Sequence, residues 1–158
     1  MSSFGLATEQ VIETTPLTVH RRARWGECDP AGVVYTVNFC EYVASAFELF
    51  MAELLGGPLQ TMKQRHGLAT PARALTLEFT GPLRPDEEFI MTVVVADVRT
   101  RTFDLIIQGC SKGGRDIFRA KLTPIAVDPD TRAAVPIPGV LRERLDRYKG
   151  ACASLASR

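Results

Sequence analysis

One segment governs what this chain can fold into. Between about Thr36 and Leu55, the residues Phe39, Val43, Phe47, Phe50 and Leu54 step by four, four, three and four, one apolar stripe on an α-helix. Cys40, Ala44, Ala46 and Leu49 widen that stripe, leaving Glu41, Ser45, Glu48 and Ala52 as the only weakly apolar face. A helix so apolar around its girth must be buried against another layer. Gly56-Gly57-Pro58 stops it. No other stretch of the chain carries so long a helical pattern.

What surrounds the helix reads as strand. Leu17–Trp25 alternates, with His20, Arg22 and Arg24 on one face and Val19, Ala23 and Trp25 on the other. After a connection through Gln60–Gly67 come four strand-like runs. Ala72–Thr80 turns Leu75, Leu77 and Phe79 inward, and Glu88–Val98 is β-branched and apolar on both faces. Phe103–Cys110 follows, then a two-residue hairpin at Gly113-Gly114 into Asp116–Val127, where Pro124 marks an edge or a bulge. Pro136–Tyr148 forms a short terminal helix. One sheet must cover the buried helix, which predicts an α+β domain with an antiparallel five- or six-stranded sheet around one long helix. The boundaries are a loose lead-in at 1–15, a single domain at 16–148 and a fraying tail at 149–158. The two apolar faces of Glu88–Val98 call for cover from a partner subunit.

Composition narrows the function. The 158 residues are 46% hydrophobic and 23% charged, ordinary for one globular core. With a net charge of +1 no global field recruits nucleic acid or an acidic membrane, and the basic residues are not interleaved with aromatics. No apolar run approaches the ~20 residues of a membrane span, and MSSFGLATEQ lacks the features of a signal peptide. Cys28, Cys40, Cys110 and Cys152 have no metal-ligand spacing. The expected location is a reducing cytoplasm.

The informative stretch is Trp25-Gly26-Glu27-Cys28-Asp29-Pro30-Ala31-Gly32-Val33-Val34-Tyr35. It sets a carboxylate in a tight loop just before the buried helix. The first N–H groups of that helix lack intrahelical acceptors and the dipole makes this end electropositive, so it can hold the oxygen of a polarised carbonyl. Asp29 can attack the carbonyl carbon or deprotonate water, or it can simply begin an Asp-Pro turn. A second basic stretch, Arg99-Thr100-Arg101-Thr102-Phe103, is on spacing either a phosphate-binding pair on one strand face or a solvated turn. Lys112, Arg115, Arg119 and Lys121 are further cations. No G-x-S-x-G elbow exists, and His20 and His66 are remote from a serine partner.

The run GECDPAGVVYTVNF resembles the corresponding loop of the 4-hydroxybenzoyl-CoA thioesterase family of hotdog-fold enzymes, with a D-x-x-G-V-V-Y core followed by the long apolar helix. The likeness extends over roughly residues 17–130, including Thr70-Pro71 and Ile125-Ala126-Val127-Asp128-Pro129. It implies hydrolysis of an acyl-CoA, an aromatic acyl group such as 4-hydroxybenzoyl being suggested by the loop. Asp29 would be nucleophile or general base, and the Thr36 N–H would polarise the thioester carbonyl, with Tyr35 beside it at the catalytic position. Gly32 would let the loop approach the acyl group, and Arg99 and Arg101 would contact the phosphates of coenzyme A. The resemblance implies no metal and no cofactor, coenzyme A being part of substrate and product. It implies a homo-oligomer, dimer or tetramer, with active sites between subunits.

Other readings stay open beside it. A thioester on acyl carrier protein would need the same chemistry. A dehydration or hydration site would usually want a His–acid pair, and no His stands between Trp25 and Leu55. Some hotdog thioesterases use a helix glutamate, for which Glu41 and Glu48 are the candidates, though both lie on the polar face. A non-catalytic acyl-thioester-binding module is the remaining class.

Overall fold

In the computed structural model, which describes residues 7–157, six strands form one antiparallel sheet in the order β1-β2-β4-β5-β6-β3. The strands are β1 (Glu9–Thr14), β2 (Leu17–Arg22), β3 (Ala72–Phe79), β4 (Glu88–Val98), β5 (Phe103–Ser111) and β6 (Asp116–Pro124). The helices are α1 (Asn38–Leu55), α2 (Leu59–His66) and α3 (Gly139–Ala156), and a 3-10 turn spans Trp25–Glu27. The sheet wraps α1 as its hydrophobic periodicity demands. Alternate residues Phe89, Met91, Val93 and Val95 of β4 are buried with Leu105 and Ile107 of β5 and Phe118, Ala120 and Leu122 of β6. They form one core with Phe39, Val43, Ala46 and Phe50 of α1. Each large side chain so buried is worth about 1.5–3 kcal/mol, and together they fix the N-terminus of α1 over the sheet. This is the hotdog fold.

Several sequence expectations need correction. The lead-in at 1–15 contains a strand: β1 pairs with β2 through Val11↔Val19, its Glu9 and Val11 half-buried; residues 1–6 lie outside the described part. Trp25 does not continue β2 but sits in the 3-10 turn, 81% exposed, because pairing ends at Ala23 and the chain then turns, Glu27 N–H bonding Arg24 O at 3.0 Å and Cys28 N–H bonding Trp25 O at 3.1 Å. The Gln60–Gly67 connection is the helix α2, whose single buried residue, Met62, gave no stripe to read. The tail from 149 continues α3, and the stripe Leu141, Leu145, Tyr148 and Cys152 docks it. Tyr148 receives the Leu17 N–H at 2.7 Å and donates to Val93 O at 2.6 Å, tying α3 to β2 and β4. The Gly113-Gly114 hairpin is wider than two residues, closed by Ser111 N–H to Arg115 O at 2.8 Å.

Leu75, Leu77 and Phe79 share the helix-side face with their partners Leu122, Ala120 and Phe118, as their alternation predicts. Yet Leu75 and Phe79 stay exposed, Phe79 although its ring meets Phe39 of α1 edge-on at 5.1 Å, because β3 is the last strand of the sheet and has no neighbour on its second edge among the described residues.

Candidate active site

The loop between the 3-10 turn and α1 is held at both ends by one residue. The carbonyl of Glu27 accepts Tyr35 N–H at 2.9 Å and Asn38 Nδ2 at 2.6 Å, while Val34 N–H bonds Leu83 O at 2.7 Å. Between these anchors the chain folds tightly: Asp29 N–H bonds Val33 O and Gly32 N–H bonds Asp29 O, each at 2.9 Å. Gly32 has φ +78° with open space around its Cβ position, so its role is the left-handed turn rather than a close approach to protein atoms.

Asp29 is half-buried near the start of this loop. Its Oδ1 accepts the Ala31 N–H at 2.8 Å, and no described residue donates to Oδ2. Asp29 lines a small cavity of about 280 Å³ with Gly26, Glu27, Cys28, Tyr35 and Asn38. The first turn toward α1 bonds Asn38 N–H to Tyr35 O, Phe39 N–H to Thr36 O and Cys40 N–H to Val37 O. The Thr36 and Val37 N–H groups find no acceptor among the described residues, and both residues are exposed. A carboxylate oxygen and two helix-start donors are thereby carried on one short loop. Tyr35, 52% exposed, flanks the same cavity.

Beneath the loop lies a buried polar cluster that motif reading passes over. Glu27 is 4% exposed, and four donors converge on its carboxylate. Oε1 receives Arg21 Nη2 and Arg24 Nε, both at 3.0 Å; Oε2 receives Arg24 N–H at 2.8 Å and the Tyr42 hydroxyl at 2.7 Å. Burial pushes the Glu27 carboxyl up, but the donors from Arg24, Tyr42 and Arg21 outweigh it and hold it below the ordinary glutamate range. Arg21 also pairs with Glu9 at 3.0 Å and stacks 4.6 Å above the Tyr42 ring. The signal for this cluster was Arg21 itself: strand alternation puts it on the core side with Leu17 and Val19, where a cation requires partners. Burial, then the charges of Glu27 and Asp29, push the Cys28 thiol up, so it remains protonated beside the site.

The arginine pair is not brought to this loop. Arg99 and Arg101 lie in a turn closed by Arg99 N–H to Thr102 O at 2.8 Å, so strand alternation does not place them on a shared face. Arg99 forks onto Asp104 at 2.6 and 2.9 Å and gives Nε to Thr102 Oγ1 at 3.0 Å. Its hydrogen bonds, despite burial, hold the Asp104 carboxyl well below the usual carboxylate range. Arg101 is exposed, and its side chain has no hydrogen-bond partner among the described residues. This turn follows the last residue of β4 whereas the Asp29 loop is anchored just before the first, so the 11-residue strand separates them within one chain by roughly 30 Å. Glu41 and Glu48 are exposed on α1. Among the described residues no group of three His, Cys, Asp or Glu side chains is arranged to hold a metal ion. No described helix is long and apolar enough to cross a membrane.

The fold and the loop define a class, a hotdog domain with a carboxylate beside a helix N-terminus. The thioesterase-like superfamily model matches residues 23–145, and the chain belongs to that superfamily. It is 28% identical over 131 residues to 1,4-dihydroxy-2-naphthoyl-CoA hydrolase of Thermosynechococcus vestitus, covering 82% of this chain and 89% of that one. Its fold matches a gentisyl-coenzyme A thioesterase with TM-score 0.72 at 23% identity, covering 81% of this chain and 98% of the other. It also matches 4-hydroxybenzoyl CoA thioesterase from Pseudomonas sp. strain CBS-3 with TM-score 0.70 at 20% identity, over 80% and 96% of the two chains. The chain is accordingly a thioesterase-like superfamily member with the hotdog fold.

Proposed function

We propose that the protein hydrolyses an acyl-CoA to the free acid and coenzyme A, with Asp29 as the reactive carboxylate. The observation that carries this is the free Oδ2 of Asp29 on the same loop as the unpaired Thr36 and Val37 N–H groups. A thioester carbonyl directed at those donors becomes electrophilic, and its developing oxyanion meets the positive end of α1. Asp29 then either adds to the carbonyl carbon, expelling the thiolate and leaving an anhydride for water to cleave, or takes a proton from the attacking water. In the second path the tetrahedral intermediate expels the thiolate, which leaves protonated. One measurement marks the first path: after a single turnover in ¹⁸O-water, label in Asp29 means that it was the nucleophile and that water opened the anhydride at the Asp29 carboxyl carbon. Label in the released acid alone is common to direct water attack and to opening at the acyl carbon. The wider assignment is tested by Asp29→Asn, which keeps the fold and lowers kcat at least ~100-fold. Near wild-type turnover would refute it.

The acyl group proposed is aromatic. The three relatives above carry hydroxy-aromatic acyl groups in their names, and Tyr35 and Trp25 present exposed rings at or beside the loop. Release of thiol from aromatic and aliphatic acyl-CoAs decides this. A thioester on acyl carrier protein is the second reading, favoured by one observation: Arg99 is committed to Asp104 and is not free for phosphate.

The working unit proposed is a homo-oligomer. A cavity of about 280 Å³ falls just below the size of small-ligand pockets, ~300–1,000 Å³, which supports a site completed by further walls from a second copy. The free edge of β3, with Leu75 and Phe79 exposed beside it, is suited to pairing with β3 of a second copy. Antiparallel pairing there would carry the Arg101 end of one copy to the Asp29 end of the other. Sedimentation at micromolar concentration is expected to show dimers or tetramers, and a stable, active monomer would exclude this arrangement.

A further inference from the structure

We infer that Glu27 is a positioning residue for the reaction: its buried charge sets the loop that carries Asp29 and the Thr36 N–H. The inference rests on the Asp29 reading above and deepens it. Glu27 holds this loop with two different groups. Its carbonyl accepts Tyr35 N–H and Asn38 Nδ2, which fixes where the chain turns toward α1. Its carboxylate is fixed from three directions, by Arg21 on β2, Arg24 at the start of the 3-10 turn and Tyr42 on α1. Asp29 stands two residues beyond this clamp and Thr36 one residue beyond Tyr35. A shift at Glu27 therefore displaces the carboxylate and the donor relative to each other, the kind of small error that lowers turnover far more than binding.

The clamp requires a carboxylate. Each oxygen of Glu27 faces at least one N–H that cannot be reversed, Arg21 Nη2 and Arg24 Nε at Oε1 and Arg24 N–H at Oε2. A glutamine of the same size must point its NH₂ at one of these donors, whichever way the amide is turned. The Tyr42 hydroxyl can rotate to accept, but Arg24 N–H cannot. Glu27→Gln thus leaves a donor–donor contact and Arg21 without its inner partner, although the side-chain volume is kept. Tyr42→Phe is milder, removing one of the two donors on Oε2 while leaving the charge and the ring packing in place.

The test compares Glu27→Gln, Glu27→Asp, Tyr42→Phe and Asp29→Asn as full chains, with thermal melting beside kcat and KM for the acyl-CoA best turned over. Glu27→Gln is expected to lower kcat 10- to 100-fold with KM within about twofold of wild type, the split that marks lost alignment rather than lost binding. Glu27→Asp keeps the charge and recovers part of that loss. Tyr42→Phe lowers kcat a few-fold. Folded Glu27→Gln with wild-type kcat, alongside an inactive Asp29→Asn, overturns the inference and leaves the Asp29 assignment standing; if both keep their turnover, the Asp29 assignment itself fails. Equal loss in the Gln and Asp variants overturns the requirement for charge. Should Glu27→Gln not fold, Tyr42→Phe decides, and unchanged kcat in that variant overturns the inference.

Discussion

Asn38 Nδ2 donates to the Glu27 carbonyl at 2.6 Å, joining the first residue of α1 to the last residue of the 3-10 turn and closing the loop that holds Asp29. The helix begins without a side-chain cap at Val37, so this contact does for the loop what a cap does for a helix end: it fixes the angle at which the chain enters.

Asn38→Ala follows directly. The Glu27 carbonyl keeps the Tyr35 N–H, so no buried group is orphaned and the stability lost should be about 1 kcal/mol, the net worth of one hydrogen bond. The loop loses one of its two ties to the Glu27 carbonyl, and kcat should fall several-fold with the melting transition still cooperative. Urea unfolding and turnover on the same preparation check both; unchanged kcat would show that Tyr35 alone suffices.

Asp104 gives a pH prediction. It is 1% exposed and accepts Arg99, Lys121 and Thr123, with Lys121 Nζ at 3.2 Å and Thr123 Oγ1 at 2.8 Å. Its folded pKa lies below the unfolded value, which is near 3.9. The contribution to stability is therefore complete above the unfolded pKa and is lost as pH falls through the folded one. Asp104→Asn should cost about 1–3 kcal/mol at pH 7, and the gap to wild type should narrow progressively below about pH 4. A gap independent of pH would show that the loss is one of packing.

Gly109 on β5 faces Phe118 on β6 so closely that an added Cβ would stand 2.2 Å from a ring carbon. Phe118 is fully buried and stacks edge-on with Phe39 at 5.3 Å, so its ring has nowhere to move. Gly109→Ala should cost about 1–3 kcal/mol through overpacking. Because Phe39 is in the first turn of α1, kcat should fall as well. A variant as stable as wild type would mean the ring can rotate away.

The layers were legible because the period of apolar residues changes from near four in α1 to two in the strands, and both periods follow from backbone geometry. The position of Asp29 beside the start of α1 was legible through its motif, since loop, aspartate and helix are contiguous in sequence. The Glu27 cluster was not: Arg21, Glu27 and Tyr42 come from three elements, and only the packing of α1 on β2 brings them together. Arg99 was misplaced for a similar reason. Its partner Asp104 sits five residues on, buried in the sheet, and a basic pair in a turn says nothing of a carboxylate beyond it. Helix α2 and the end of α3 lack a stripe of large apolar residues, so their pattern fell below what periodicity can show.

The two arginines should now separate. Arg99 is spent on Asp104 and Thr102, so Arg99→Ala should lower stability and leave KM for acyl-CoA nearly unchanged. Arg101 is exposed and unpaired among the described residues. Arg101→Ala should raise KM several-fold with kcat kept, less so at high salt and hardly at all for a thioester lacking the nucleotide. Since roughly 30 Å of β4 lies between Arg101 and Asp29 in one chain, the proposed phosphate contact of Arg101 would serve the Asp29 of another copy. Subunit mixing tests this. Asp29→Asn alone is inactive and Arg101→Ala alone binds weakly, but in a mixed dimer one site receives Asp29 from the first chain and Arg101 from the second. At substrate concentrations far below the raised KM, unfolding the two variants together and refolding them should give more activity than the Arg101→Ala protein present can account for. Activity equal to the sum of the separate proteins, with mixed dimers verified, would place both residues of a site in the same chain or remove Arg101 from it.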